Sequence, residues 1–137
     1  MVVLLKQPRV LVADGHDPAR ARICELVAAR YEVAGGVRDG QELLEAARRL
    51  DPDVLVVDIA LPVLNGWEAV KRRRLESPGA RAVFLTGDPE PVAAEAVLDA
   101  GATAVVFKCR AAEELADAIA AVLRGESYRS PSCSSPE

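Results

Sequence analysis

The sequence predicts an α/β fold with a parallel sheet and helices on both faces, and three observations predict it. Short apolar runs alternate with stretches of helical period five times in succession. The runs are only a few residues long and rich in valine, the mark of strands buried on both faces. Glycine, proline and aspartate punctuate the boundaries between them. At 137 residues the chain is one domain, long enough for a two-sided core. Half of it is apolar and only 4% aromatic, so the core must be built from Val, Leu, Ile and Ala.

The first strand runs from Arg9 through Val10-Leu11-Val12-Ala13 and ends at Asp14. Pro18 opens the first helix, where its missing N–H costs nothing, with Asp17 expected as the N-cap. Ile23, Leu26 and Val27 recur there at helical spacing. A short second strand is expected near Tyr31 to Val33, stopped by Gly35-Gly36. Leu43, Leu44, Ala47 and Leu50 line one side of a second helix, which Asp51-Pro52 terminates. Val54 to Val57 form the third strand, delivering Asp58, and Trp67 to Leu75 the third helix.

Ala82 to Leu85 form a fourth strand that delivers Thr86, and Pro89 to Ala100 a fourth helix closed by Gly101. Thr103 to Phe107 form a fifth strand that delivers Lys108. The last helix spans Ala111 to Leu123, with Leu115, Ala118, Ile119 and Val122 on one stripe and Gly125 ending it. The domain therefore occupies residues 1–125. Residues 126–137, rich in Ser and Pro, read as a flexible tail or a truncated linker.

The net charge of −4 argues against nucleic-acid binding by this chain. Arg72, Arg73 and Arg74 form the one dense basic cluster and are expected as a solvated helix face. Cys24, Cys109 and Cys133 have no metal-like spacing, and their odd number does not suggest a disulfide framework. The sequence shows no signal peptide and no membrane span, so a cytoplasmic location is expected. His16, the only histidine, is expected as a solvent-facing loop residue.

In a right-handed parallel sheet the carboxyl ends of the strands share one edge, where such folds bind ligands. The side chains of Asp14, Asp58, Thr86 and Lys108 can therefore converge there. Two carboxylates, a hydroxyl and an ammonium suit a phosphoryl group bound with a hard divalent cation. Asp58 can itself be the nucleophile and become an aspartyl phosphate. A nucleotide-binding Rossmann enzyme is excluded because no Gly-rich phosphate loop follows the first strand.

Over residues 9 to 125 the chain resembles the receiver domain of bacterial two-component response regulators. The resemblance rests on Val12-Ala13-Asp14-Gly15-His16, on Asp58 followed by Leu61-Pro62 and Gly66, on Leu85-Thr86-Gly87, on Gly101-Ala102 and on Phe107-Lys108. The ending Leu123 to Pro131 is similar to the receiver-to-linker junction of the NarL/LuxR type. The resemblance implies a flavodoxin-like sheet in the order 2-1-3-4-5. It implies a histidine kinase or phosphotransfer protein as partner, with phosphorylation on Asp58. Mg²⁺ would be held by Asp14, Asp58 and the backbone carbonyl of Ala60, while Thr86 and Lys108 contact the phosphoryl group. The receiver would catalyse only its own phosphorylation and a slow hydrolysis. Its communicating surface would be the fourth helix, fifth strand and fifth helix. Val92, Ala96, Glu113 and Glu114 are candidates for meeting a second copy or a downstream effector there.

The chain departs from that pattern at three positions. Gly15 replaces an acid that is a direct metal ligand in the family, which leaves a water to fill the place and weakens Mg²⁺ binding. Val105 stands where an aromatic ring normally swings inward on activation. Cys109 replaces the proline that normally follows the lysine, and a plain buried or edge cysteine is expected there. These departures motivate an alternative, a degenerate receiver acting as a phosphorylation-independent protein-interaction module.

Overall fold

The computed structural model describes residues 7–87 and 104–129. In order, these form β1 (Arg9–Ala13), α1 (Asp17–Ala28), β2 (Glu32–Val37), α2 (Gly40–Leu50), β3 (Val54–Asp58), α3 (Gly66–Glu76) and β4 (Arg81–Thr86). Then come β5 (Ala104–Phe107), a single 3₁₀ turn (Lys108–Arg110), α4 (Ala111–Leu123) and β6 (Tyr128–Arg129). The helix expected over Pro89 to Ala100, with Val92, Ala96 and the cap Gly101, lies outside the described residues.

All strands pair in parallel, in the order β2-β1-β3-β4-β5-β6. The flavodoxin-like order is as expected, with one short strand added at the edge. Alternate strand residues face opposite sides. Val10, Val12, Val54, Val56, Val83, Leu85, Ala104 and Val106 pack with Ile23 and Val27 of α1 and with Leu115, Ala118, Ile119 and Val122 of α4. Leu11, Ala13, Leu55, Val57, Ala82, Phe84 and Val105 pack on the other face with Leu43, Leu44 and Ala47 of α2 and Ala69 and Val70 of α3. Both faces are covered, which is why the strands read as unbroken apolar runs rather than alternating ones. The Trp67 ring meets Phe84 edge-on, centroids 5.5 Å apart, and extends this second core to the base of α3.

Four expectations are corrected. β2 does not stop at Gly35-Gly36 but runs through them to Val37, with a register shift opposite Val10/Leu11. A side chain at Gly36 would meet Cys24 Sγ at 3.4 Å, so the glycine lets α1 lie close over this strand. Asp17 is not the cap of α1. His16 is, its Nδ1 accepting from the Ala19 N–H at 3.3 Å, and Asp17 instead pairs with Arg20 at 2.8 Å. Arg73 and Arg74 are not a solvated face: Arg73 pairs with Asp51 at 3.0 Å, and Arg74 donates to the Ala80 carbonyl at 3.2 Å. Tyr128 and Arg129, expected in a tail, pair with Ala104 and Val105.

The other helix starts follow local chemistry. Asp39 caps α2 by accepting from the Glu42 N–H at 2.8 Å, and Asn65 caps α3 by accepting from the Glu68 N–H at 2.9 Å. Asp51 closes α2 in the left-handed conformation at φ 44°, which short polar residues tolerate. No helix among the described residues is long and apolar enough to cross a membrane.

Candidate functional site

Asp14 lies one residue beyond β1 and is fully buried; Asp58 is the last residue of β3 and nearly so. Each is held by the backbone that follows it. The His16 N–H donates to Asp14 Oδ1 at 2.9 Å, and the Ala60 N–H donates to Asp58 Oδ1 at 3.0 Å. These two-residue-on contacts are the usual turn chemistry of aspartate, and they leave each Oδ2 turned to the same space. Lys108 fills that space from the end of β5, its Nζ 2.9 Å from Asp14 Oδ2 and 2.9 Å from Asp58 Oδ2.

The two contacts differ in kind. The one to Asp58 is a hydrogen bond. The one to Asp14 is a charge contact only, so Asp14 Oδ2 is a buried oxygen without a hydrogen-bond donor. Burial by itself lowers the Lys108 pKa, but the hydrogen bond to Asp58 and the nearby charges of Asp58 and Asp14 outweigh it and raise the pKa above the usual lysine value. Lys108 is therefore charged at neutral pH. Two carboxylates against one ammonium leave the pocket with an excess negative charge.

Thr86 ends β4 and is half-buried. Asp58 pairs in register with Leu85, and Thr86 with Phe107, so Asp58, Thr86 and Lys108 come from three adjacent strand ends. Ala60 is exposed in the loop after Asp58. Gly66 lets that loop fold back beneath the strand, because a Cβ there would lie 2.3 Å from the Asp58 carbonyl oxygen. Val63, at the loop tip, is 84% exposed and has φ 68°, in a tight turn closed by the Leu64 N–H donating to the Pro62 carbonyl at 2.7 Å. That conformation is strained for a β-branched residue.

A cation fits this pocket. The buried Asp14 Oδ2 lacks a donor, and the charge excess favours a positive ion. Among the described residues no group of three or more His, Cys, Asp or Glu side chains is gathered for a metal. Any ion held here would rest on two carboxylates and keep several waters, the habit of Mg²⁺. Gly15 is exposed, and Asp17 turns to Arg20 instead of into the pocket.

Two site neighbours escaped the sequence reading. Arg20 donates to the Asp14 carbonyl at 3.1 Å while pairing with Asp17, and an arginine three residues after an aspartate was the only signal for it. Glu114, expected on an open surface, is instead buried and engaged by Arg110 and Tyr128. Cys109 is exposed and disulfide-bonded, contrary to the plain cysteine expected, whereas Cys24 is free. The Lys108–Cys109 peptide is trans.

A doubly wound α/β domain with an acidic, lysine-bridged pocket at its strand ends is thus on view. The chain belongs to the response regulator receiver domain family, whose model matches residues 10–120. It is 34% identical over 125 residues to the response regulator GacA of Pseudomonas viridiflava, covering 90% of this chain and 58% of that protein. It is 30% identical over 125 residues to the response regulator VraR of Staphylococcus aureus, covering 90% of this chain and 60% of that protein. The chain thus spans about three fifths of the length of these relatives.

Among solved structures, a LuxR-family two-component response regulator from Aurantimonas superposes with a TM-score of 0.85 at 30% identity, covering 92% of this chain and 91% of that one. The isolated receiver domain of RcsB from Salmonella enterica serovar Typhimurium, in the presence of phosphomimetic BeF₃⁻, gives 0.81 at 26% identity, covering 90% and 94%. The domain is a receiver of two-component signalling.

Proposed function

We propose that this receiver accepts a phosphoryl group on Asp58 from a histidine kinase or phosphotransfer protein in the cytoplasm. The observation that carries this reading is the shared ammonium. Lys108 Nζ lies 2.9 Å from both Asp14 and Asp58, so it can contact a phosphoryl oxygen without leaving the pocket. An Asp58 carboxylate oxygen attacks the phosphorus while the bond to the donor imidazole nitrogen breaks, and the imidazole leaves with the electron pair. Lys108 stabilises the charge on the transferring group, and the Thr86 hydroxyl donates to it. Asp14, Asp58 and the Ala60 carbonyl are the groups for Mg²⁺, which when bound neutralises phosphoryl charge. Water later hydrolyses the acyl phosphate slowly.

The test is intact-protein mass after incubation with acetyl phosphate and Mg²⁺, with Asp58→Asn in parallel. A single Mg²⁺-dependent phosphoryl adduct, absent from the variant, is expected. Complete lack of an adduct with either acetyl phosphate or a phosphorylated kinase domain as donor would reject the reading.

Gly15 favours a second reading, a phosphorylation-independent interaction module. A Cβ at this position would sit 3.0 Å from Pro62 Cδ and 3.2 Å from the Arg38 carbonyl oxygen, so the place of the missing acid is already crowded. Under that reading Asp58→Asn leaves partner binding intact and Mg²⁺ has no effect on it.

A further inference from the structure

The Lys108 side chain enters the pocket, and its backbone begins a single 3₁₀ turn that ends at Arg110. The Ala111 N–H donates to the Lys108 carbonyl, so the turn is closed directly onto α4. Arg110 donates through Nε to Glu114 Oε2, one helical turn on. The other oxygen, Glu114 Oε1, accepts from the Tyr128 hydroxyl. Tyr128 belongs to β6, which pairs with β5 through Ala104↔Tyr128 and Val105↔Arg129. Glu114 is only 6% exposed, on a helix face otherwise given to the core. A carboxylate buried there is tolerable only while partners hold it, and losing one leaves a charge in a poor solvent.

We propose that Glu114, held between Arg110 and Tyr128, ties the Lys108 turn to the sixth strand, so that movement of Lys108 at the pocket is passed to the chain beyond residue 129. The route runs along the outer edge of the sheet. It does not need the interior rotation that fully buried Val105, which has no ring to swing, cannot supply. Burial and the Glu114 hydrogen bond together raise the Tyr128 pKa, as expected of a phenol that donates to a carboxylate. Glu114 is a positioning residue in this scheme and touches no phosphoryl group. The coupling rests on Lys108 lying in the pocket and holds whether or not Asp58 accepts phosphate.

Hydrogen exchange of the whole chain, read by mass spectrometry on peptides covering β6 and β3, tests it. Tyr128→Phe and Glu114→Gln should each speed exchange in β6 by about ten-fold, the effect of one charge-assisted hydrogen bond, without changing β3. Lys108→Gln should speed β6 exchange similarly in the wild-type background and by no more than about two-fold in the Tyr128→Phe background, because the link is already cut. An equal effect of Lys108→Gln in both backgrounds overturns the proposal. So does unchanged β6 exchange in all three variants, or, in Tyr128→Phe or Glu114→Gln, an equal loss of protection in β3, which would make the cluster a general stabiliser. The phosphorylation test is read separately by mass, so failure of one leaves the other standing.

Discussion

Replacing Lys108 with methionine removes the ammonium that bridges Asp14 and Asp58 and leaves two carboxylates facing each other. Each Oδ2 is 2.9 Å from the same nitrogen, so the two lie no farther apart than twice that, about 5.8 Å. At an effective dielectric of about 20 their repulsion is then about 3 kcal/mol. The Lys108 side chain is 30% exposed, and solvent on that side trims the cost to about 1–3 kcal/mol. For a domain of this size that lowers the melting temperature by roughly 4–15 °C at pH 7. Millimolar Mg²⁺ should raise the melting temperature of Lys108→Met more than that of the wild type, since the competing ammonium is gone. Calorimetry at pH 7, with and without Mg²⁺, checks each point. A variant that melts with the wild type and gains no more from Mg²⁺ would refute the bridging role of Lys108.

Three further outcomes are expected. Gly15→Asp should tighten Mg²⁺ binding by about ten-fold by adding a third carboxylate, at a cost of roughly 1 kcal/mol for moving Pro62, measured by calorimetric titration and denaturant unfolding. Val63→Gly should stabilise the domain by up to about 1 kcal/mol, because release of the strained φ of 68° outweighs the added freedom of the unfolded chain, measured by urea unfolding. Tyr128 ionises at about 12 instead of 10, so its contribution to stability is complete below pH 10 and is lost as pH rises toward 12. Tyr128→Phe should flatten that alkaline decline, followed by circular dichroism between pH 9 and 12.

Much of the fold was legible along the chain because both sheet faces are covered. Val54 to Val57 and Ala82 to Leu85 had to be central strands, and the stripe of Leu115, Ala118, Ile119 and Val122 could only be a helix face on a core. Asp14, Asp58, Thr86 and Lys108 stood out by position, since each follows or ends a strand and parallel topology gathers those ends at one edge. Composition and motif order were enough for that.

Contacts between segments distant in sequence were not legible, because local pattern carries no information about which partner a side chain meets. Gly35-Gly36 looked like a stop and became strand interior once α1 packed over it. Glu114 looked like surface until Tyr128 returned to the sheet edge and supplied a donor. Sequence alone determined which residues occupy the strand ends. Tertiary structure decided that one ammonium is shared by two carboxylates at 2.9 Å, because only folding brings the ends of β1, β3 and β5 within reach of a single lysine.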